Sequence, residues 1–99
     1  MRFGTEKGRY ELDPLPGNGD VVVSHAVMIF PQHRGKGFGR QQHKQRLKKA
    51  KELGYKYIVC TVRADNTREI LMLNKNGWGL LSSFYGASNE IVHVYGRTL

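Results

Sequence analysis

A turn rich in glycine and basic residues, PQHRGKGFGR at residues 31–40, has the composition that points most directly to chemistry. It follows VVVSHAVMIF at residues 21–30, an apolar run that we expect to be a strand buried on both faces. If a helix begins after the turn, its first amides have no internal partner and carry a partial positive charge, so they can bind a phosphate. Glycine leaves such amides accessible and permits positive φ angles. The residues concerned are Gly35, Gly37 and Gly39, with Arg34, Lys36 and Arg40 as further donors.

Two familiar phosphate-binding loops do not fit this turn. A P-loop needs the glycine–lysine pair to be followed by serine or threonine, whereas Lys36 is followed by Gly37. A dinucleotide fingerprint needs the spacing G-x-G-x-x-G, whereas residues 35–39 give G-x-G-x-G. The turn therefore predicts an anion site of another kind.

The composition predicts one small α/β domain over residues 1–99, cytoplasmic and without a membrane partner. The single cysteine, Cys60, excludes an internal disulfide and is expected to be a small buried hydrophobe rather than a nucleophile. The four histidines lack the close pairing typical of zinc sites, so we expect no metal. The N-terminus has no apolar core of a signal peptide, and no run is long enough to span a membrane. Of the sixteen basic residues, eight lie in residues 34–51, a block that would attract a polyanion.

The remaining elements follow from periodicity and from turn residues. The first twenty residues are rich in glycine and proline, so we expect little regular structure there beyond a short strand near Arg9–Leu12. After the turn, Leu47, Ala50 and Leu53 mark the buried side of a helix whose other side would be basic. The predicted elements are a helix at 38–53, a strand at 55–62, a helix at 67–76 and strands at 80–85 and 90–96. A strand–helix–strand crossover predicts two parallel neighbours, with the turn at a carboxyl end where such sheets bind ligands.

The stretch VMIFPQHRGKGFGR at residues 27–40 resembles the acyl-CoA-binding segment of the GNAT superfamily of N-acyltransferases. The family signature is arginine or glutamine, two residues, glycine, one residue, then glycine or alanine, and Arg34, Gly37 and Gly39 match it. The proline two residues after Ile29 and the segments KELG, YIVCTV, VRADN and KNGW follow in family order, so the resemblance covers residues 21–99.

The resemblance implies a mixed β-sheet with a splayed central parallel pair and two helices, truncated at its N-terminal end. It also implies acetyl-CoA as co-substrate, with the pantetheine arm beside residues 27–29, the pyrophosphate on the amides of residues 35–40, and the side chain of Asn66 on the cofactor arm. The acyl-CoA-binding residues would be Val27, Met28, Ile29, Arg34, Gly35, Lys36, Gly37, Phe38, Gly39, Arg40 and Asn66.

The sequence departs from the family at both familiar catalytic positions. Leu73 stands where many members carry a tyrosine as general acid, and Thr61 where some carry a glutamate as base. The catalytic residues are therefore unknown. Candidate substitutes are His25, His93, Tyr95, Tyr85 and Glu90. His25 is expected instead to be a core or edge residue, and His43 to be satisfied by a backbone partner. Trp78 replaces the usual phenylalanine, and we expect it in the core.

The leading functional hypothesis is an N-acetyltransferase in which a primary amine attacks acetyl-CoA directly in a ternary complex. Only about twenty residues precede the cofactor strand, whereas the family normally has a strand and two helices there. The acceptor site would then be open, suited to a lysine or an amino terminus of a protein, or completed by a homodimer or a partner subunit.

Two alternatives stay open. One is a catalytically inert acyl-CoA-binding module, motivated by Leu73 and Thr61. The other, not favoured, is a nucleic-acid-binding protein that uses the basic helix at 34–51, because residues 39–52 contain no aromatic side chain for base stacking.

Overall fold

Six strands and two α-helices make up the computed structural model, which describes all 99 residues. The elements, in chain order, are β1 (Arg2–Thr5), β2 (Gly8–Pro14), β3 (Val21–Ile29), α1 (Phe38–Glu52), β4 (Tyr57–Arg63), α2 (Thr67–Lys75), β5 (Gly79–Tyr85) and β6 (Ile91–Thr98). The sheet order is β1-β2-β3-β4-β6-β5, and β3–β4 is the parallel pair in an otherwise antiparallel sheet. The mixed sheet, the parallel pair and both helices confirm the predicted fold class. Neither helix has the length and apolar character needed to cross a bilayer.

The expectation of little regular structure in the first twenty residues was wrong, because β1 and β2 form a hairpin there. Two of its glycines serve close approach within the sheet, rather than a turn. A Cβ on Gly8 would lie 2.3 Å from the backbone oxygen of Met28, and one on Gly4 would lie 2.7 Å from that of Gly8. Phe3 stacks on Tyr10 with ring centroids 5.6 Å apart, which gives the hairpin an apolar side. Strand β2 pairs with β3, so the hairpin extends the sheet beyond β3.

Both helices pack on the same face of the sheet, which we call the covered face. Val22, Ile58 and Arg97 lie side by side on this face. Arg46 of α1 contacts Ser24, which lies two residues after Val22 on the same face of β3. Arg97 contacts the end of α2. The other face, which we call the open face, has no helix over it. The prediction that β3 is buried on both faces was therefore wrong: Val22 and Ser24 are buried, whereas Val21 and Val23 are half-buried and His25 to Met28 are exposed.

Helix α1 buries the predicted side only in part, since Ala50 is buried and Leu47 packs against the core. Its buried residues are Gln42, His43, Arg46 and Ala50, whereas Leu53 is exposed. Arg46 is only 2% exposed, so the expectation that the basic residues fill the solvent side fails at this position. Its guanidinium donates to the Ser24 hydroxyl at 3.1 Å and lies 3.9 Å from the Glu69 carboxylate. Burial lowers the pKa of Arg46, and the nearby Glu69 carboxylate opposes that shift.

The core lies between the covered face and the two helices. Trp78 and Cys60 are both buried there, as predicted. His43 is buried too, but its partner is a side chain and not the backbone: the indole Nε1 of Trp78 donates to Nε2 of His43 at 3.0 Å. The helix bounds match the prediction to within one residue, and Gly54, with φ of +91°, ends α1.

Candidate functional site

The two parallel strands stay together for only three residues each. Val21 to Val23 of β3 pair with Tyr57 to Val59 of β4, and both strands then continue without pairing to each other. Beyond that point β3 remains bonded to β2, and β4 remains bonded to β6. The strands therefore diverge toward their carboxyl ends, and the predicted splay is confirmed. Backbone groups of β3 that face the gap have no strand partner, which suits an extended ligand that adds itself like another strand.

A bulge in β3 lies beside this gap. Arg9 pairs with Met28 and Glu11 with His25, so Ala26 and Val27 together face Tyr10. Ala26 has φ of +51°, a conformation that non-glycine residues rarely adopt and that often accompanies functional sites. Val27 and Met28, two of the predicted acyl-CoA-binding residues, are exposed along this part of the strand.

Gln42 of α1 holds the bulge in place, a role that the sequence analysis missed. Its Nε2 donates to the backbone oxygens of Arg9 and Met28, at 3.2 and 3.3 Å. Two carbonyl acceptors fix which end of the amide is the nitrogen, because a reversed amide would set oxygen against oxygen. The bulge is thus tied both to the neighbouring strand β2 and to the helix that follows the glycine turn. The signal was available, since Gln42, Arg46 and Ala50 recur every four residues.

The glycine turn leads from β3 into the amino end of α1. Gly35 and Gly37 have φ of +77° and +84°, and Gly37 directly precedes the helix with no side-chain cap. An added Cβ at either position would meet no atom within 4 Å. These glycines are therefore needed for the left-handed backbone, and the space around them is open. No acidic residue lies in the first turn of α1, so its free amides face solvent beside a basic surface.

The basic side chains of the turn are partly engaged. Nε of Arg34 donates to the backbone oxygen of Ile29 at 2.8 Å, and Nζ of Lys36 lies 3.4 Å from that of Gln32. Arg40 is exposed and makes no such bond. Phe38 is held from the other side, because Nζ of Lys7 lies 4.2 Å from its ring centroid. The start of α1 is thus anchored to the β1–β2 hairpin, while the Arg40 side chain has no partner within the chain.

Asn66 lies after the carboxyl end of β4, at the same edge of the sheet as the glycine turn. It caps α2, since its Oδ1 accepts from the backbone N–H of Glu69 at 3.3 Å. The residue is exposed, and its Nδ2 makes no hydrogen bond within the chain. Topology therefore brings three of the predicted regions to one edge: the end of β3, the turn, and Asn66.

The two familiar catalytic positions hold no group that could transfer a proton near neutral pH. Leu73 is fully buried on the core side of α2. Thr61 lies on the open face of β4 and is exposed. Cys60 points to the covered face, and burial raises its pKa to about 11, so its thiol stays protonated.

Two of the four histidines bear on chemistry. His25, expected in the core or at an edge, is exposed on the open face with Nε2 2.6 Å from the Asp13 carboxylate. Hydrogen bonds from the N-terminal ammonium and from His25 lower the pKa of Asp13. His93 is half-buried on β6, with Nδ1 2.6 Å from Oγ of Ser83, which leaves Nε2 unbonded. Of the other candidates, Tyr95 is buried and Tyr85 is exposed.

Solved structures with this fold are numerous. The IAA acetyltransferase from Bacillus cereus superposes with a TM-score of 0.80 at 14% identity, over 98% of this chain and 73% of that one. The ribosomal-protein-S18-alanine N-acetyltransferase from Escherichia coli gives 0.78 at 13% identity, over 93% and 61%. An acetyl-CoA-bound GNAT family acetyltransferase from Elizabethkingia anophelis gives 0.77 at 18% identity, over 93% and 68%. The chain thus spans roughly two thirds of the length of these neighbours. At such identities the likeness establishes the fold alone.

Sequence comparisons add the family. No curated protein matches the chain. The sequence model of the acetyltransferase (GNAT) family matches residues 8–78, which include β2, the glycine turn, Asn66 and Trp78. Because this match spans most of the chain, and because the fold agrees with it, the protein belongs to the GNAT family of acetyltransferases.

Proposed function

We propose that this protein is an N-acyltransferase that transfers the acetyl group of acetyl-CoA to a primary amine on a protein, either a lysine or an amino terminus. The observation that carries the proposal is that the gap between β3 and β4 opens at the same edge of the sheet as the uncapped amino end of α1. The pyrophosphate would take the free amides of residues 35–40, and the pantetheine arm would follow the unpaired backbone of Val27 to Ile29. Asn66 would donate to the arm through Nδ2.

The reaction would be a direct transfer. The nitrogen of the amine attacks the thioester carbonyl carbon, so a C–N bond forms and the C–S bond breaks. The ammonium gives up two protons in all, of which one ends on the coenzyme A thiolate and the other is released to water. Since Thr61 and Leu73 cannot relay them, we infer that water in the open gap accepts and returns protons. Alignment of the two reactants would then supply most of the rate acceleration, because it can lower the activation free energy by about 7–11 kcal/mol at best.

The open face favours a protein acceptor. The glycine turn leads into α1 on the covered face, so acyl-CoA would enter from there, and the gap opens through the sheet to a face without a helix. A side chain presented by a large molecule could approach the thioester from that side. The Escherichia coli neighbour is named for an alanine of a ribosomal protein, which is consistent with an acceptor of this class.

A specific observation also favours a second candidate, an acyl-CoA-binding protein without turnover. Leu73, which has no proton to donate, is fully buried in the core. This candidate shares the cofactor site and differs only in the outcome of a reaction.

Two measurements on the purified protein test the proposal in sequence. Thermal unfolding with acetyl-CoA at a hundred times its dissociation constant should show about 2.7 kcal/mol of added stability, with little effect of ATP as the charge control. Equal increases in stability with both ligands would mean that the turn binds any anion of similar charge and does not recognise acetyl-CoA. Mass spectrometry of lysine-containing and free-amino-terminus peptides should then show acetylation above the rate without protein. Binding without any product would select the inert module.

A further inference from the structure

Arg46 carries a buried charge that the proposed transfer does not use. A charge removed from water costs free energy unless it is paired and fully hydrogen-bonded, and Arg46 meets that condition only in part. The Ser24 hydroxyl accepts from Nη1, whereas the Glu69 carboxylate lies 3.9 Å from Nη2, beyond hydrogen-bond distance. Nε is buried without any partner. A buried cation that is incompletely satisfied in this way calls for an explanation other than packing.

Arg46 lies at the closed end of the gap between β3 and β4. Parallel pairing ends one residue before Ser24 in β3 and one residue before Cys60 in β4, so the strands begin to diverge at these two residues. Both of them lie on the covered face, where Ser24 binds one end of the guanidinium. The other end points toward Glu69 in the first turn of α2. The guanidinium therefore spans from β3 to α2, across the covered side of the gap.

The acyl group of a bound acyl-CoA would approach this closed end. With the pyrophosphate on the glycine turn, a pantetheine arm that follows β3 from Ile29 to Val27 runs toward Ser24. Val27 lies three residues from Ser24, a separation of about 10 Å at most in extended strand. The thioester at the end of the arm would therefore lie within roughly this distance of the guanidinium.

The titratable groups around Arg46 are neutral near pH 7, apart from Glu69. Burial raises the pKa of Tyr10 on β2, and it raises the pKa of Cys60 on β4 to about 11. Burial lowers the pKa of His43 on α1 to about 4. The Glu69 carboxylate is partly exposed, so solvent screens it and it offsets only part of the positive charge. The closed end of the gap is therefore electropositive.

We propose that the guanidinium of Arg46 stabilises the coenzyme A thiolate as it leaves, in place of a general acid at position 73. This inference rests on the proposed acyl transfer. As the amine nitrogen forms its bond to the carbonyl carbon and the C–S bond breaks, the electron pair stays on sulfur. A fixed cation in a site shielded from water stabilises that developing charge. The thiolate can then leave before water returns a proton to it, so Leu73 is compatible with turnover.

A titration of the coenzyme A thiol in its complex with the protein tests the proposal. At an effective dielectric constant of about 20, unit charges about 10 Å apart shift a pKa by roughly one unit. The ultraviolet absorbance of the thiolate should therefore give a pKa about one unit lower for bound than for free coenzyme A. The thiol of Cys60 does not interfere, because it titrates only near pH 11.

Three variants separate the charge of Arg46 from its role in packing. The pKa shift of the bound thiol should disappear in Arg46→Met and persist in Arg46→Lys, which keeps the charge. It should also persist in Arg97→Met, because Arg97 is a covered-face cation level with Ile58, farther from the gap. In acetyl transfer, Arg46→Met should lower kcat about tenfold and leave KM for the amine unchanged, as expected for an interaction made only in the transition state.

Glu69→Gln covers the case in which Arg46→Met does not fold. This change removes the carboxylate that opposes the guanidinium, so the pKa of the bound thiol should fall further. A bound thiol that titrates like free coenzyme A, or a thiol pKa that Glu69→Gln leaves unchanged or raises, would overturn the proposal. The titration needs no acceptor amine. A lowered thiol pKa without acetylated product would therefore refute the proposed transfer alone, whereas acetylation with an unshifted thiol would refute this inference alone.

Discussion

The indole Nε1 of Trp78 donates a hydrogen bond to Nε2 of His43 at 3.0 Å, and both side chains are buried. For Nε2 to accept, the imidazole must be neutral with its proton on Nδ1. Burial lowers the pKa of His43 to about 4, and the positive charges of Arg46 and Arg97 act in the same direction. The pair joins α1 to the start of β5, so its protonation state bears on the packing of the whole covered face.

The protein should lose stability in acid as His43 takes up a proton. The unfolded chain binds this proton below about pH 6.5, whereas the folded chain binds it only near pH 4. The contribution of neutral His43 to the free energy of unfolding is therefore complete above pH 6.5 and is lost as the pH falls toward 4. Urea unfolding at pH 7 and pH 5 should show a lower midpoint at pH 5. His43→Gln is expected to be less stable at pH 7 but to lose less on acidification. An equal loss of stability on acidification in both proteins would show that groups other than His43 cause the acid destabilisation.

Substitution of Gly37 by valine should abolish acetyl-CoA binding. Gly37 has φ of +84°, so a β-branched residue there would distort the turn that presents the amides. Gly17 is a matched control, since it has φ of +81° in a turn remote from the site and open space around it. Both valine variants should be destabilised to a similar degree, by roughly 1–2 kcal/mol. Calorimetric titration should show normal binding in Gly17→Val only, and unchanged affinity in Gly37→Val would refute the site.

Local sequence patterns were sufficient to predict the helices and the parallel strands in the half of the molecule that carries the candidate site. Periodicity predicted α1 and α2, and Gly54 and Gly77 both have the positive φ expected after a helix. The strand–helix–strand order predicted the parallel pair, because a short crossover allows few other arrangements. The splay itself came from the family resemblance, since no local pattern encodes where two paired strands separate.

The features that the sequence did not predict depend on contacts between residues that are distant in sequence. Gly4 and Gly8 looked like turn residues, yet they lie in strands where another backbone leaves no room for a Cβ. Arg46 looked like one more solvent-facing charge, and only the position of Ser24 and Glu69 explains its burial. Gln42 acts on carbonyls of two other strands. Such roles are set by tertiary partners, and a polar residue's partners cannot be read from its own segment.

The ion pair of the buried Arg46 should matter more than those on the surface. Glu69→Gln removes the carboxylate nearest to a guanidinium that is 2% exposed, and Nε of Arg46 already lacks a partner. Leaving a buried charge uncompensated is costly, so we expect a loss of about 1–3 kcal/mol in the free energy of unfolding. Glu52→Gln, which breaks exposed pairs with Lys48 and Lys49, should cost less than about 0.5 kcal/mol. Similar losses in urea denaturation would indicate that Arg46 is solvated.

The pH dependence of turnover distinguishes water from a histidine as the proton acceptor. If water suffices, only the neutral amine reacts, and kcat/KM for a lysine peptide should rise about tenfold per pH unit up to the amine pKa near 10.4. His93→Gln should follow the same line, because a glutamine retains a polar group beside Ser83 without a titrating ring. A change of slope in the plot of kcat/KM against pH, at pH values where histidines usually titrate, would instead identify a histidine as the base. If that change disappears in His93→Gln but persists in His25→Gln, the base is His93. Its free Nε2 would then be the atom that takes the proton.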